Sequence, residues 1–326
     1  MDSAGRFLIA LALAGAAVTV SSAVLAQAYP VKPIKMIVPS PPGSLSDRVG
    51  RLLTIYLSQS FGQAIVAENR AGANGTLAME TCARSAPDGY TVCMTDGNIM
   101  TLNPYAYAKL SYHPHDFVPV IHFAELEQSL VVSSALPVKS VRELVELARS
   151  HPGEVTWGSA GAGSSMHLYL EWIQVKAGVR FNHILYKGPA PLVQAVAAGE
   201  VQVTSLTTGT AAPFVKAGKL RPIALIAGQR RSAFAGDTPT FAEQGFDLDF
   251  RNWLAICFPK GTPPEIARRW NEEMNRLLAD KGFLEKILSS ESFTLTGGSP
   301  EDMAAIIDKK LKVGAELARI TKLRYD

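Results

Sequence analysis

Short hydrophobic runs and helical repeats alternate along the first third of the chain. Residues 34–38, 64–67 and 90–94 are apolar runs with the length and composition of buried strands. Between the first two runs, apolar residues recur at helical spacing over residues 49–57, and residues 76–83 have the pattern of a short helix. This βαβ alternation predicts a mainly parallel sheet covered by helices.

The same alternation restarts after Glu127 and predicts a second α/β lobe. Ser140 and Glu143 have the spacing of a capping box, which marks the start of a helix. Gly218 is a typical left-handed stop for a helix that ends at Ala217. Strands are predicted at residues 130–132, 155–157, 181–185, 201–205 and 223–226, and helices at residues 141–148, 166–177, 189–198 and before Gly218.

The C-terminal part of the chain is richer in helices. Residues 263–279 and 300–320 have the pattern of long amphipathic helices, and few strands lie between them. Ser299 and Pro300 are typical of the N-cap and first position of the second helix. Such helices need a sheet to cover, and the first lobe has strands but too few helices of its own.

These patterns predict two lobes joined by a hinge. At 326 residues the chain is long for a single hydrophobic core, so two lobes are the default expectation. We expect one lobe to comprise residues 29–126 and 228–326 and the other to comprise residues 127–227. The chain would then cross the hinge near Glu127 and near Ala227, as in binding proteins that close around a ligand.

The first 28 residues have the layout of a cleaved secretory signal peptide. Arg6 is followed by an apolar run over residues 7–20 and by small residues over 21–28. Cleavage after Ala26 or Ala28 satisfies the small-x-small rule, and we favour a mature chain that begins at Tyr29. A membrane anchor is the alternative, but the run is short for a bilayer span and no basic cluster follows it. The sequence thus predicts export to the periplasm without stable membrane insertion.

Charge and cysteine content narrow the function further. The formal net charge of +3 is mild and the basic residues are dispersed, which argues against nucleic acid and admits a small anion. Cys82, Cys93 and Cys257 lack the spacing of a metal site. An oxidising compartment permits a disulfide between Cys82 and Cys93. However, Cys93 and Cys257 lie in apolar runs, where buried free thiols are the simpler expectation, so the pairing stays open.

Two loops rich in Gly and Ser, residues 41–46 and 159–165, lead from predicted strands into predicted helices. In open α/β sheets, ligands bind beyond the carboxyl ends of the strands, where helix N-termini present unpaired N–H groups. Gly43, Gly161 and Gly163 allow the backbone to turn its amides toward an anion. Because the loops contain no Arg or Lys, we expect a carboxylate to be held by amides and hydroxyls without an arginine clamp.

These loops and the neighbouring strand ends supply the candidate ligand-binding residues. Each candidate has a structural alternative: helix capping for Ser44, Ser46 and Ser164, compensation of the helix dipole for Asp47, and loop hydrogen bonding for the residues at strand ends. The candidates are Pro42, Gly43, Ser44, Leu45, Ser46, Asp47, Thr95, Asn98, Ser159, Gly161, Ala162, Gly163, Ser164, His167, Tyr186, Thr207 and Thr208.

Three patterns that suggest enzyme or metal sites have the wrong spacing. His167 lies near Ser164, but the Gly-x-Ser-x-Gly elbow of a hydrolase is absent. The run after Gly161 lacks the third glycine of a dinucleotide-binding loop. A proline separates His113 from His115, which favours a surface loop over a metal site. The sequence therefore predicts a binding protein with no cofactor, no metal and no catalytic residue.

Several short motifs follow one another along the predicted mature chain. The first are Tyr-Pro-Val-Lys-Pro-Ile at residues 29–34 and Pro-Gly-Ser-Leu-Ser-Asp at residues 42–47, and others lie at residues 68–75, 86–91, 116–120, 158–164, 186–188, 217–221 and 237–245. In this order they resemble the Bug family, the substrate-binding receptors of tripartite tricarboxylate transporters. The chain departs from the family at Ser44, where members usually have a second glycine, and in the polar loop at residues 95–98.

The resemblance implies a two-lobe fold of the type II periplasmic-binding-protein kind, in which each lobe is a mainly parallel sheet flanked by helices. It also implies a monomeric periplasmic receptor that binds a small organic carboxylate between the lobes and delivers it to membrane permease subunits. Two alternatives stay open. One is a sensor subunit that binds the same ligand and docks on a signalling protein, and the other is an exported α/β hydrolase.

Overall fold

The computed structural model describes residues 29–226, 236–248, 250–290, 293–322 and 324. These residues form two β-sheets flanked by helices, which confirms the predicted fold class. The predicted signal peptide, residues 1–28, and the predicted hinge crossing at Ala227 lie outside the described residues. No helix in the described ranges is long and apolar enough to cross a membrane.

The strands and helices are numbered separately in chain order. The strands are β1 (Ile34–Val38), β2 (Ile65–Asn69), β3 (Thr91–Asp96), β4 (Phe117–Leu126), β5 (Gln128–Ser133), β6 (Thr156–Ser159), β7 (Asn182–Leu185), β8 (Val203–Thr207), β9 (Leu220–Ile226), β10 (Trp253–Pro259) and β11 (Phe293–Leu295). The helices are α1 (Leu45–Phe61), α2 (Thr76–Ala83), α3 (Asn103–Ala106), α4 (Val141–Ser150), α5 (Ser165–Ala177), α6 (Pro189–Ala198), α7 (Thr208–Lys216), α8 (Pro264–Leu278), α9 (Lys281–Ser290) and α10 (Pro300–Thr321).

The first sheet has the strand order β11-β4-β10-β3-β1-β2. Strands β1 to β4 run in one direction, whereas β10 and β11 run antiparallel to their neighbours. Successive residues of β1 bury their side chains on opposite faces, as the alternation of a strand requires. Met36 packs in the cluster that contains Leu53 of α1 and Trp270 of α8, and Ile37 packs with Met79 of α2. Helices therefore cover both faces of this sheet.

The second sheet has the strand order β7-β6-β8-β5-β9, and β5 is antiparallel to both of its neighbours. On one face Leu130 packs with Leu144 of α4 and Leu168 of α5. On the other face Val131 packs with Leu192 of α6. Because the strands are buried on both faces, they have the continuous apolar sequences from which they are predicted.

The chain passes from the first sheet to the second through Glu127, which separates β4 from β5, and returns between β9 and β10. The two crossing segments are hydrogen-bonded to each other, because the amide of Leu126 donates to the carbonyl of Asn252 at 2.9 Å. Beside this bond, the Nη1 atom of Arg251 lies 2.6 Å from the Oε2 atom of Glu125. The two connections therefore lie side by side at the junction of the sheets.

Helix α10 contacts both apolar layers. Near the start of the helix, Met303 packs against the first sheet. Near its end, Leu317 and Ala318 join the apolar cluster of the second sheet. The helix approaches a neighbouring backbone closely at Gly314, where an added Cβ would lie 1.7 Å from the carbonyl oxygen of Thr101. From its sequence α10 is expected to cover the first lobe, and its contact with the second cluster is an additional finding.

Cys82 and Cys93 form a disulfide, which corrects the expectation of free buried thiols. Helix α2 packs across β3 and brings the two Cα atoms to 6.2 Å, within the range that a disulfide spans. An apolar strand sequence is compatible with a buried disulfide as well as with a buried thiol, so the pattern could not separate the two. Cys257 is a free cysteine, and its side chain is buried.

Candidate functional site

The loop between β1 and α1 is shaped by Gly43 and capped by Ser44. Gly43 has a φ of 78°, a conformation that favours glycine. Ser44 is the N-cap of α1, and its hydroxyl accepts a hydrogen bond from the amide of Asp47 at 3.3 Å. Ser44 therefore acts as a helix cap, which is the structural alternative to ligand contact that its sequence position allows.

Asp47 is buried behind this loop and holds it in place. Its carboxylate accepts hydrogen bonds from the amide of Gly43 and from Nδ2 of Asn69, both at 2.8 Å, and forms an ion pair with Nε of Arg51 at 2.9 Å. Burial opposes ionisation of Asp47, but the hydrogen bonds from Arg51, Gly43 and Asn69 outweigh burial and hold its pKa below the usual range. The side chain thus braces the loop from inside.

The loop between β6 and α5 has a similar construction in the second sheet. Gly161 and Gly163 have φ values of 117° and 81°. Ser164 is the N-cap of α5, and its hydroxyl donates to the carbonyl of Gly161 at 2.9 Å. The amide of Gly163 donates to Nδ1 of His167 at 3.2 Å. Each loop therefore has its glycine amide tied to a side chain from the first turn of the following helix.

Two stacked histidines, His167 and His183, contact the loop between β6 and α5. The hydroxyl of Ser159 lies 2.7 Å from Nε2 of His183. The rings of His167 and His183 stack with centroids 4.4 Å apart, and Nε2 of His167 lies 3.6 Å from a carboxylate oxygen of Glu171. Burial, reinforced by the neighbouring His167, lowers the pKa of His183 to about 4. At neutral pH His183 is therefore uncharged, and its ring supports the end of β6.

A cavity of about 390 Å³ lies between the two sheets, and we call it the first cavity. Its floor comes from the crossing segments and includes Leu126, Gln128, Asn252 and Leu254. Its walls come mainly from helices α1, α5, α6 and α7 and from the strand ends and loops that precede them. The wall residues are Gly43, Ser44, Leu45, Ser46, Arg48, Asp96, Ser165, Met166, Pro189, Ala190, Val193, Gln194, Leu206, Thr207, Thr210 and Phe214.

Free backbone amides line the first cavity. The first N–H groups of a helix have no partner within the helix. Among the described residues, no hydrogen bond satisfies the amides of Leu45 and Ser46 in α1, Ser165 and Met166 in α5, or Ala190 in α6. All five residues line the first cavity. Because helix N-termini carry partial positive charge, this wall is suited to an anion with several oxygen atoms.

A second cavity, of about 820 Å³, lies on the other side of Asp96. It is bounded on the first-sheet side by residues 71–75, Asn98 and Tyr107, and on the second-sheet side by residues 160–162 and 186–188. Across its mouth, Nδ2 of Asn74 donates to the carbonyl of Ala162 at 3.1 Å. This hydrogen bond directly connects a loop of the first sheet with a loop of the second sheet.

Asp96 lines both cavities. It is the last residue of β3, and its Oδ1 atom accepts a hydrogen bond from the amide of Ile99 at 3.0 Å. The side chain of Asn252 also hydrogen-bonds the carboxyl group. Burial raises the pKa of Asp96 to about 6, against the lowering effect of these hydrogen bonds.

Nine of the predicted site residues line the two cavities, and the other eight do not. Gly43, Ser44, Leu45, Ser46 and Thr207 line the first cavity, and Asn98, Gly161, Ala162 and Tyr186 line the second. Neither lining includes Pro42, Asp47, Thr95, Ser159, Gly163, Ser164, His167 or Thr208.

Residues that the sequence did not single out also line the first cavity. They include Asp96, Gln128, Gln194 and Asn252, and the cation of Arg48, which donates to the carbonyl of Gly43 at 2.9 Å. Strand-end position is a signal that could have identified Asp96 and Gln128. Asn252 reaches the site only because the chain crosses back to the first sheet. It is far along the chain from the other site residues, so no local sequence pattern indicates it.

The geometry does not assemble a hydrolase site from the residues considered. Ser164 caps α5, and the ring nitrogen Nδ1 of His167 accepts from a backbone amide. Ser159 does contact a histidine ring, but its side chain is completely buried, so no substrate reaches the hydroxyl. His113 caps a short turn at the surface together with Asp116. Each of these serines and histidines thus has a partner within the fold, and they do not form a serine–histidine–acid arrangement.

Comparison with known proteins identifies the family. The family model for the tripartite tricarboxylate transporter family receptor, TctC, matches residues 49–322. The chain belongs to the TctC family. Members of this family are solute-binding receptors, and this TctC chain is accordingly a receptor and not an enzyme.

Relatives match the TctC chain over most of its length. Protein BugT of Bordetella pertussis is 30% identical over 325 residues, which cover 97% of each chain. The solved structure of R. palustris Rpa4515 with adipate is 31% identical, covers 90% of this chain and 98% of the other, and has a TM-score of 0.82. MatC from Rhodopseudomonas palustris with bound malate is 26% identical, covers 89% and 99%, and has a TM-score of 0.79.

Proposed function

We propose that this receptor binds a small organic carboxylate in the first cavity, in the periplasm, and delivers it to the membrane permease of a tripartite tricarboxylate-type transporter. The observation that carries the proposal is the set of five backbone amides without acceptors among the described residues, all on the wall of one cavity between the sheets. Such a set suits the oxygen atoms of a carboxylate, and a cavity of this size suits a small molecule.

Two relatives support the choice of ligand class. Rpa4515 was solved with adipate and MatC with malate, and both molecules are small organic carboxylates. The sequence pattern of a signal peptide in residues 1–28 supports the periplasmic location. Both lines of support are independent of the geometry of the first cavity.

We further infer that residues 29–126 and 228–326 form one moving lobe and residues 127–227 the other. The two connections lie side by side at the crossing, joined by the bond from the Leu126 amide to the Asn252 carbonyl. A double connection of this kind favours hinge motion. Opening would separate Asn74 from Ala162 and expose the cavities to solvent, which gives the ligand its route of entry and exit.

A thermal-shift screen of mono-, di- and tricarboxylates tests the proposal. A ligand present at 100 times its dissociation constant stabilises the folded protein by about 2.7 kcal/mol, which a melting curve resolves. Calorimetric titration of the best ligand then gives its Kd. Sugars and inorganic cations serve as negative probes, and tight binding of one of them with no response to any carboxylate would contradict the proposed ligand class.

Two glycine variants locate the site. Gly43 and Gly153 have φ values of 78° and 80°, and an added Cβ would meet no atom within 4 Å at either position. Gly43→Val and Gly153→Val therefore introduce the same backbone strain, but only Gly43 lines the first cavity. We expect comparable losses of stability from both variants and a loss of ligand affinity, about ten-fold or more, from Gly43→Val alone. Equal affinities would place the ligand elsewhere.

A further inference from the structure

We propose that the preferred ligand carries an ammonium group in addition to its carboxylate, and that Asp96 accepts a hydrogen bond from this ammonium in the cleft. This inference rests on the proposed function, because it takes the carboxylate to lie against the helix N-termini of the first cavity. It goes further by assigning a second recognition point of opposite charge. The ligand class is then an amino acid or a closely related aminocarboxylate.

Asp96 is a carboxylate that lines two cavities and has no counter-ion within the described part of the chain. Its hydrogen-bond partners are the backbone amides of Asn98 and Ile99 and the side chain of Asn252, which are all uncharged. None of the ion pairs among the described residues includes Asp96. A partly buried carboxylate without a cation is costly, and it gains most from a cation that a ligand brings.

The charge state of Asp96 favours a cationic group over a second anionic one. With a pKa of about 6, the carboxyl group is mostly ionised at neutral pH, since each unit of pH above the pKa changes the ratio ten-fold. A second carboxylate of a ligand at this position would meet a like charge. An ammonium would meet an opposite charge in a partly desolvated setting, where the attraction is stronger than in bulk water.

A second acceptor near Asp96 supports the same conclusion. The side chain of Asn98 is 7% exposed and lines the second cavity, and its Oδ1 atom has no hydrogen-bond partner among the described residues. An unpaired buried oxygen is unfavourable and calls for a donor. The Asp96 carboxylate therefore presents an acceptor to the cleft, and the buried Asn98 oxygen adds a second acceptor without a donor among the described residues. Both are opposite in kind to the amide donors of the first cavity. An aminocarboxylate has both complementary groups, whereas a plain dicarboxylate has only acceptors.

Three pairs of compounds test the inference, because the members of each pair differ by one ammonium. They are succinate and L-aspartate, glutarate and L-glutamate, and adipate and L-2-aminoadipate. Calorimetric titration of the full mature chain at pH 7.5, a pH chosen to lie about one unit or more above the pKa of Asp96, gives a Kd for each. We expect the amino member of at least one pair to bind about 30-fold more tightly than its partner, as for a desolvated charge pair.

Asp96→Asn assigns the preference to its residue. The variant keeps the shape of the side chain and removes the charge, so the two members of the preferred pair should then bind within a few-fold of each other. Asp308→Asn, which changes an exposed aspartate on α10, is the matched control and should keep the preference. The wild-type comparison of the pairs is decisive even where Asp96→Asn does not fold.

The outcomes separate this inference from the proposed function. Tighter binding of every dicarboxylate over its amino partner overturns the ammonium inference and leaves carboxylate binding intact. A preference for the amino member that persists in Asp96→Asn overturns the role of Asp96. Absence of binding by all carboxylates and aminocarboxylates overturns both proposals.

Discussion

Asp47 offers the sharpest test of how the loop between β1 and α1 is built. A carboxylate in the first turn of a helix can act through the helix dipole alone, which contributes about 0.3–1 kcal/mol. The structure instead shows direct bonds from Asp47 to Gly43, Asn69 and Arg51, at 2.8, 2.8 and 2.9 Å. The two descriptions predict different costs for Asp47→Ala.

The direct bonds to Asp47 predict a larger loss of unfolding free energy than the helix dipole alone. Hydrogen bonds to a charged group contribute roughly 1.5 kcal/mol or more each, so the two from Gly43 and Asn69 together give about 3 kcal/mol. The side chain of Arg51 is 52% exposed and can return to water, so its ion pair adds less than about 1 kcal/mol. We therefore expect Asp47→Ala to lower the free energy of unfolding by about 3 kcal/mol.

Urea unfolding monitored by circular dichroism measures this loss. Asp308→Ala removes an exposed aspartate from a helix and should change the unfolding free energy by no more than about 0.5 kcal/mol. Asp47→Ala should also weaken binding of the carboxylate, because the Gly43 amide is no longer held. A loss below about 1 kcal/mol would refute the bracing role and leave the dipole as the sole contribution.

The pH dependence gives an independent check on the same residue. The pKa of Asp47 lies below its ordinary value of 3.8 in the folded protein. A group with a lowered folded pKa contributes stability above its unfolded pKa and loses it as the pH falls through the folded value. The difference in stability between wild type and Asp47→Ala should therefore be constant from pH 5 to 7, a range above the ordinary aspartate pKa of about 3.9. It should shrink as the pH falls below that value.

Three further predictions concern the frame around the site. Reduction of the disulfide between α2 and β3 should lower the urea midpoint by the equivalent of about 3 kcal/mol, and an unchanged midpoint would contradict the pairing. Gly314→Ala should cost about 1–3 kcal/mol in thermal unfolding because its Cβ would collide with the Thr101 carbonyl, whereas Gly282→Ala, in an uncrowded helix, should not destabilise. His183, whose folded pKa of about 4 is lowered by burial, takes up its proton first in the unfolded chain, so stability should fall between pH 6.5 and 4. His183→Gln should flatten that decline in urea titrations.

Strands with simple apolar sequences could be predicted, and a strand with an internal proline could not. Residues 116–120 form one of the short motifs of the sequence, and Phe117 within it begins the ten-residue strand β4. Pro119 argues against a central strand because it cannot donate to a neighbour. In the sheet it lies opposite Cys257, next to a shift in the register between β4 and β10, where a missing donor is tolerated.

The position of the site was predictable, while its floor was not. Glycines and serines before helical patterns are local signals, and they identified the loops that carry Gly43 and Gly161. Asp96 and Asn252 become neighbours only because the chain returns to the first sheet after the second is complete. A contact between such distant segments has no counterpart in spacing or periodicity along the chain.

Capping and ligand binding are complementary uses of the same helix start. In α1 the hydroxyl of Ser44 accepts the amide of Asp47, three positions on, and leaves the amides of Leu45 and Ser46 without an acceptor among the described residues. In α5 Ser164 accepts the amide of His167 in the same way. A cap side chain can satisfy only the inner amides, and it fixes the direction of the outer ones. Under the proposed function, Ser44 and Ser164 serve the ligand through capping, because a rigid first turn holds the free amides in fixed positions beside the cavity. Ser46 is not a cap, since it lies inside α1.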